Sequence, residues 1–264
     1  MRNHFLRAAA GNVASGSSAT TFMPLGTSDM TYEIWLYKNN LTNTTMGAFG
    51  LNKILSNGNV RTNFAHTYFL STFIGNYLSF QKTASASGGT ESITSQANYN
   101  LASWNHLVIS HDISAGIPKL YYNASERSVS NYGSWTAYYN NSDDQYKLYV
   151  GSNAFNKFYG RISILRIYKG KAFTSSEVTQ NYNAEKGRYT SSSSSGTHVT
   201  SNLVFHIDAG NTNSYSGSGA TTVNSLVGGI SSSSYNQNIS YSSSDGGYWS
   251  FGSNTGDGIE FDSI

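Results

Sequence analysis

Apolar and polar positions alternate with a period of two over many short stretches of this chain. Residues 158–168 show it most plainly. Tyr159, Arg161, Ser163, Leu165 and Ile167 fall on one side of an extended backbone, and Ile162, Ile164, Arg166 and Tyr168 on the other. Residues 30–38 repeat the pattern, with Met30, Tyr32, Ile34 and Leu36 opposite Thr31, Glu33, Trp35 and Tyr37. Both faces there are partly apolar, as in a strand central to a sandwich sheet. Further strands are expected at 47–55 and 60–68, joined by the hairpin signal Asn57-Gly58. Others follow at 69–81, 91–96, 104–110, 117–122 and 147–151, with weaker ones at 4–10 and 20–25. About ten to twelve short strands separated by turn residues predict an all-β jelly roll of two antiparallel sheets.

One helix breaks this pattern. After Lys169-Gly170-Lys171, Thr174 is followed three residues later by Glu177, the spacing of a capping box. Phe173 and Val178 are spaced as a hydrophobic staple, and Gly187 stands where a left-handed C-cap is expected.

Composition supports a packed β core. Aromatic residues make up 14% of the 264 positions, and 20 of them are Tyr. Charged residues are only 11%, net charge is +2, and no run of Lys or Arg occurs, so no nucleic-acid partner is expected. With no cysteine, burial and ladder hydrogen bonds must hold the fold. No apolar run approaches the ~20 residues of a membrane span, so no membrane insertion is expected. The N-terminal apolar residues are interrupted by Arg7, so no signal peptide is expected. Ser191 to Ser195, followed by Gly196, reads as a flexible linker.

The run G-R-I-S-x-x-R-I-Y-x-x-x-x-x-T-x-x-E-V-x-Q-N-Y-N-A-x-K-x-R-Y, from Gly160 to Tyr189, resembles the end of a LamG-like domain of the concanavalin A-like lectin/glucanase superfamily. It is similar in particular to copies in tail and other virion proteins of bacteriophages. Segments 32–36, 104–108, 119–123 and 148–151 fit the same family in order, so the resemblance spans about residues 29–189. Residues 201–211 and 245–254 resemble the opening of another such unit. The expected organisation is therefore a LamG-like sandwich over 1–189 and a Ser-rich linker over 190–200. Residues 201–264 are either the beginning of a second unit or a strand segment that completes the first sandwich, in cis or from a neighbour.

Several residues are candidates for chemistry. Glu260 and Asp262 would share one face of a strand, roughly 6.5–7 Å apart, within the range of paired carboxylates in glycoside hydrolysis. A solvated face explains them as well, and the superfamily's glucanase pattern E-x-D-x-x-E has no match here. The resemblance implies calcium at the rim, for which Asp208, Asn211, Asn213 and Asp257 are the expected ligands, with Asp143-Asp144 another loop pair. Turn-forming Asx residues explain these too. His106 and His111 flank an apolar strand as packing or edge residues. Tyr132, Trp135, Tyr138 and Tyr139 lie in a Gly/Ser/Asn-rich stretch, where rings stack on sugars or pin a loop.

These readings together predict a non-enzymatic virion module that binds host-surface glycan, assembled in the host cytoplasm with other virion subunits and as a homo-oligomer. The competing readings are a purely structural capsid or tail part without ligand, and a glycan-cleaving enzyme.

Overall fold

The computed structural model describes residues 27–39, 46–54, 68–72, 77–83, 90–96, 102–136, 145–152, 157–236, 238–252 and 258–262. The strands expected at 4–10 and 20–25, and the Asn57-Gly58 turn, lie outside the described residues.

In chain order the strands are β1 (Met30–Lys38), β2 (Met46–Ile54), β3 (Tyr68–Thr72), β4 (Leu78–Thr83) and β5 (Thr90–Ser95). Next come β6 (Asn105–His111), β7 (Lys119–Tyr122), β8 (Ser125–Arg127), β9 (Val129–Tyr132), β10 (Gln145–Val150) and β11 (Gly160–Lys169). The helix α1 (Ser175–Glu185) follows, and then β12 (Leu203–Asp208), β13 (Ser234–Tyr235), β14 (Ser240–Ser242), β15 (Tyr248–Phe251) and β16 (Ile259–Asp262). They form two eight-stranded sheets among the described residues. The first runs β14-β15-β11-β1-β6-β7-β8, with β12 also on β11; the second runs β13-β16-β10-β2-β3-β4-β5-β9. The core lies between them, built by Tyr32, Ile34, Leu107 and Leu165 of the first sheet against Phe49, Phe80, Leu148 and Phe261 of the second. This is the jelly-roll sandwich that the alternation predicts.

Three local expectations need correction. The strand expected at 69–81 is two strands, β3 and β4, folded on each other with Phe69 opposite Gln81. The sequence between them contains Gly75-Asn76, a dipeptide of the kind that signals a hairpin, and the apolar run around it conceals that signal. The alternation of β11 also slips. Trp35 pairs with Ile164 but Leu36 with Ile162, leaving Ser163 as a bulge. Arg161 and Ile167 therefore do not share a face, and Ile162, Leu165 and Ile167 all enter the core. Ser163 Oγ, released from the ladder, donates to the Gly247 carbonyl at 2.5 Å and accepts from the Tyr189 hydroxyl at 2.7 Å.

The third correction concerns the end of α1. Its start is as expected: Thr174 accepts from the Glu177 backbone, the Glu177 side chain returns to Thr174, and Phe173 and Val178 share one apolar cluster. Gly187 is not a left-handed cap. The helix passes into a short 3-10 turn, Lys186–Arg188. Gly187 is needed for a different reason: a Cβ there would lie 2.6 Å from the Ser194 backbone nitrogen. Residues 190–200 are correspondingly not a free tether. They lie along α1, held by Ser195 N to Asn183 O, Gln180 Nε2 to Thr197 O and Val199 N to Asn181 Oδ1, at 2.7–2.8 Å.

The C-terminal segment supplies strands to both sheets. Along one edge of β11, β15 pairs with residues 160–162 and β12 with residues 164–168. On the other sheet β16 pairs with β10, Leu148 opposite Phe261. Phe205, Ile207, Trp249, Phe251, Ile259 and Phe261 are buried in the same core as Tyr32 and Leu165. At ~3–5 kcal/mol for each large aromatic side chain removed, these contacts are a major part of what stabilises the sandwich.

Candidate functional site

The outward face of the first sheet carries polar residues, yet water does not reach them. β1, β6 and β11 place Glu33, His106, Arg166 and Tyr168 side by side, and α1 covers them. Glu33 is wholly buried. One carboxylate oxygen faces His106 Nε2 at 2.9 Å and Arg166 Nη1 at 3.2 Å; the other accepts from Asn181 Nδ2 at 2.7 Å and Tyr168 OH at 3.3 Å. Burial alone would raise this carboxyl, but Arg166 and the His106 hydrogen bond outweigh it and hold it near 2. Arg166 also donates to Glu185 at 2.6 Å and, through Nε, to His206 Nε2 at 3.1 Å. His206 must be neutral to accept that bond. Burial, reinforced by Arg166, pushes its imidazole down to about 2. Beside this cluster Trp35 is stacked by Tyr189 at 4.4 Å and by Tyr182 at 5.7 Å. The cluster is a sheet–helix joint in which each oxygen of Glu33 is already taken.

Arg188 extends the joint into the C-terminal segment. It grips Asp208 with both terminal nitrogens, at 2.8 and 2.7 Å, and also reaches Glu185 and the Gly246 carbonyl. Gly210 admits this contact, because a Cβ there would lie 1.8 Å from that carbonyl.

The residues chosen from sequence are scattered. Of the aromatic group, Tyr132 is 72% exposed on the edge strand β9. Trp135 is fully buried, stacked on Phe80 at 5.9 Å, with its indole donating to Asn131 at 2.6 Å. Its backbone sits at φ +57, a costly value for a bulky residue, and Glu91 holds the turn by accepting from the Ser134 and Trp135 backbones. Trp135 therefore pins the turn and presents no ring to a ligand. Tyr138 and Tyr139 lie outside the described residues, as do Asp143, Asp144 and Asp257.

Of the expected calcium ligands, Asp208 and Asn211 are already engaged within the fold. Both oxygens of Asp208 are occupied by Arg188, whose own charge would oppose a metal ion there. Asn211 Oδ1 accepts from the Asn213 backbone at 3.0 Å, an Asx turn. Among the described residues no group of three His, Cys, Asp or Glu side chains is placed to hold a metal ion. Glu260 and Asp262 do share a face, but both bind Lys147, at 3.1 and 3.2 Å. His106 and His111 are both buried, His111 edge-on against Trp135 at 5.5 Å.

An open concavity lies elsewhere, within the C-terminal segment. A cavity of about 470 Å³ is bounded by Tyr215, Tyr235, Ile239 and Tyr241, with Ser218, Gly219, Ala220, Thr221 and Ser240 around them. Tyr215 forms its inner wall: it is buried, stacked with Tyr235 at 5.7 Å, tilted against Tyr241 at 5.0 Å and edge-on to Trp249 at 5.7 Å. Its hydroxyl donates to the Ala220 carbonyl at 3.0 Å and lies 3.2 Å from the Tyr235 hydroxyl. That bond ties down a loop whose curvature needs Gly217 and Gly219 at φ +114 and +89. Tyr235 and Tyr241 are half-buried, and Ser218, Thr221 and Ser240 are exposed. Preformed aromatic walls with hydroxyls at the mouth suit a small polar ligand with an apolar face.

A family model of the concanavalin A-like lectin/glucanases superfamily, of laminin-G type, matches residues 10–179. The chain belongs to this superfamily. Among solved structures it is similar to a candidate carbohydrate-binding protein from Bacteroides ovatus ATCC 8483, at TM-score 0.52 and 16% identity. That match covers 78% of this chain and 51% of the other, so the chain spans about half the length of that protein. It is also similar to the CBM40 of the Ruminococcus gnavus IT-sialidase, at TM-score 0.45 and 10% identity, covering 58% of this chain and 82% of that one. The heptameric SAP-like pentraxin of Limulus polyphemus matches at TM-score 0.37 and 15% identity, over 60% and 72% of the two chains. No curated protein matches the chain.

The cavity of this superfamily member begins beyond the matched residues, at Tyr215. Sequence reasoning missed it, although the signal is the one used for 132–139: tyrosines in Ser/Asn/Gly-rich surroundings, here Tyr215, Tyr235 and Tyr241. The alternating pattern at 248–251 and 259–262 gives the supporting strands. Nothing local gives the approach of Tyr215 to Tyr235 and Tyr241, which depends on the sandwich beneath.

Proposed function

We propose that this chain is a non-enzymatic glycan-binding module displayed on a virion, with the Tyr215–Tyr235–Tyr241 cavity as its sugar site. The cavity is the observation that carries the reading: aromatic walls meet the apolar face of a pyranose, and rim hydroxyls meet its edge. The absence of catalysis is supported by the carboxylates. Glu260 and Asp262 share Lys147, Glu33 is sealed under α1, and among the described residues the cavity lining carries no carboxylate. The virion setting and neighbouring virion subunits rest on the resemblance of the 160–189 motif to bacteriophage tail and virion copies. A homo-oligomer belongs to the same reading, with β9 at one end of the second sheet as the edge for a neighbour. We also take residues 201–264 to complete this sandwich in cis, a reading supported by their pairing with β10 and β11.

A purely structural virion part is the second reading. The observation that favours it is that Arg166, Tyr168, Asn181 and Arg188 of the sequence motif all bind within the fold. Retention of the full chain on immobilised glycans separates the two. Retention by at least one neutral or acidic glycan, lost in Tyr241→Ala, is expected. No retention would leave the structural reading, and retention indifferent to Tyr241→Ala would move the glycan site away from the cavity.

A further inference from the structure

We infer that the tyrosine cavity selects an uncharged sugar unit and discriminates against sialic and uronic acids. This rests on the glycan-binding reading above and concerns which sugars qualify. Among the described residues the cavity lining contains no Lys, Arg, His, Asp or Glu; its polar groups are hydroxyls and backbone. The basic side chains of the joint are already spent. Arg166 faces Glu33 and Glu185, and Arg188 clasps Asp208. On the adjoining strands Arg161 is held between the rings of Tyr37 and Tyr248, at 4.8 and 4.9 Å.

A carboxylate entering the cavity would exchange its hydration for neutral donors only. An ionised group withdrawn from water without a charged partner is disfavoured far more than a hydroxyl. The hydroxyls of a neutral pyranose exchange water for Ser218, Thr221 and Ser240 at little net cost, while its C–H face covers a tyrosine ring. The Tyr235 hydroxyl, raised above its ordinary value by burial and by its contact with Tyr215, stays protonated and adds no repelling charge of its own. The discrimination therefore comes from a missing cation. A volume of about 470 Å³ is at the smaller end of the ~300–1,000 Å³ usual for ligand pockets, with room for a terminal sugar and part of its neighbour.

Matched sugars test this on the full chain. The backbone amide resonances of residues 217–221 and 239–241 are followed by NMR while four pairs are added: lactose and 3′-sialyllactose, glucose and glucuronate, galactose and galacturonate, mannose and mannuronate. The expected result is that a neutral member moves those resonances and its acidic partner binds at least about tenfold more weakly. Tyr241→Ala should weaken the neutral sugar by about tenfold as well, and the wild-type resonances report the site whether or not that variant folds. An acidic sugar bound there as tightly as its neutral partner overturns this inference and leaves the glycan site intact. Resonances that no sugar moves overturn both.

Discussion

The joint beneath α1 and the tyrosine cavity both set aromatic rings beside polar groups, and they differ in charge and in what remains free. In the joint, four donors converge on the two oxygens of Glu33, and Trp35 is stacked by Tyr182 and Tyr189. In the cavity, Tyr215 is likewise tied and stacked, but Tyr235 and Tyr241 are only half covered and the rim serines and threonine face outward. Polar and aromatic density does not by itself mark a binding site. What marks one is density whose partners are not already inside the fold.

Cutting the chain at residue 190 breaks the comparison at its root. It deletes the cavity and also removes His206 and Asp208 from the joint and the C-terminal apolar side chains, Phe205, Trp249 and Phe261 among them, from the core. Residues 1–189 alone are expected to aggregate or fail to melt cooperatively. A soluble fragment with an unchanged melting curve would show that the C-terminal segment is an independent piece.

Glu33→Gln attacks the joint alone. Arg166 loses its central counter-charge while fully buried, so a loss of about 3–5 kcal/mol is expected in denaturant unfolding. Sugar binding by the folded fraction should not change, because Glu33 does not line the cavity. Equal loss of affinity and stability would mean that the two regions are coupled.

Acid sharpens the same contrast. In the unfolded chain His206 and His111 take up protons near pH 6.5, but in the fold only near 2 and 4. Below 6.5 the unfolded state therefore binds protons that the native state does not. Stability should fall by roughly 1.4 kcal/mol per pH unit for each of the two. Below its ordinary 4.5, Glu33, held near 2, adds a slope of the same sign. Melting temperatures between about pH 7.5 and 4.5 check this, and a flat profile would show that His206 and His111 are open to water.

Much of the joint is legible in the sequence. The alternation on Met30–Lys38 and Gly160–Lys169 puts Glu33 and Arg166 on outward faces, and the Thr174–Glu177 box starts the helix that covers them. What local pattern does not carry is a one-residue change of phase or a long-range contact. The Ser163 bulge reverses which residues face inward, and the ion pair of Arg188 with Asp208 joins positions on either side of the linker-like composition of 190–200. The cavity is least legible, because its three tyrosines meet only after the C-terminal strands have joined both sheets.

Tyr132→Ala, with the smallest expected effect, sets the sequence-chosen aromatic group against the cavity. Tyr132 is 72% exposed at the edge of the second sheet, so truncating its ring removes little buried area. The backbone pairing of β9 with β5, Tyr132 opposite Ser92, does not depend on that side chain. Stability should therefore stay within about 0.5 kcal/mol of the parent. Glycan retention should also be unchanged, because Trp135, the other described ring of that group, faces the core and cannot stack on a sugar together with Tyr132. If Tyr132→Ala abolished retention while Tyr241→Ala spared it, the sugar site would lie on the β9 edge, and the cavity would be a feature of packing alone.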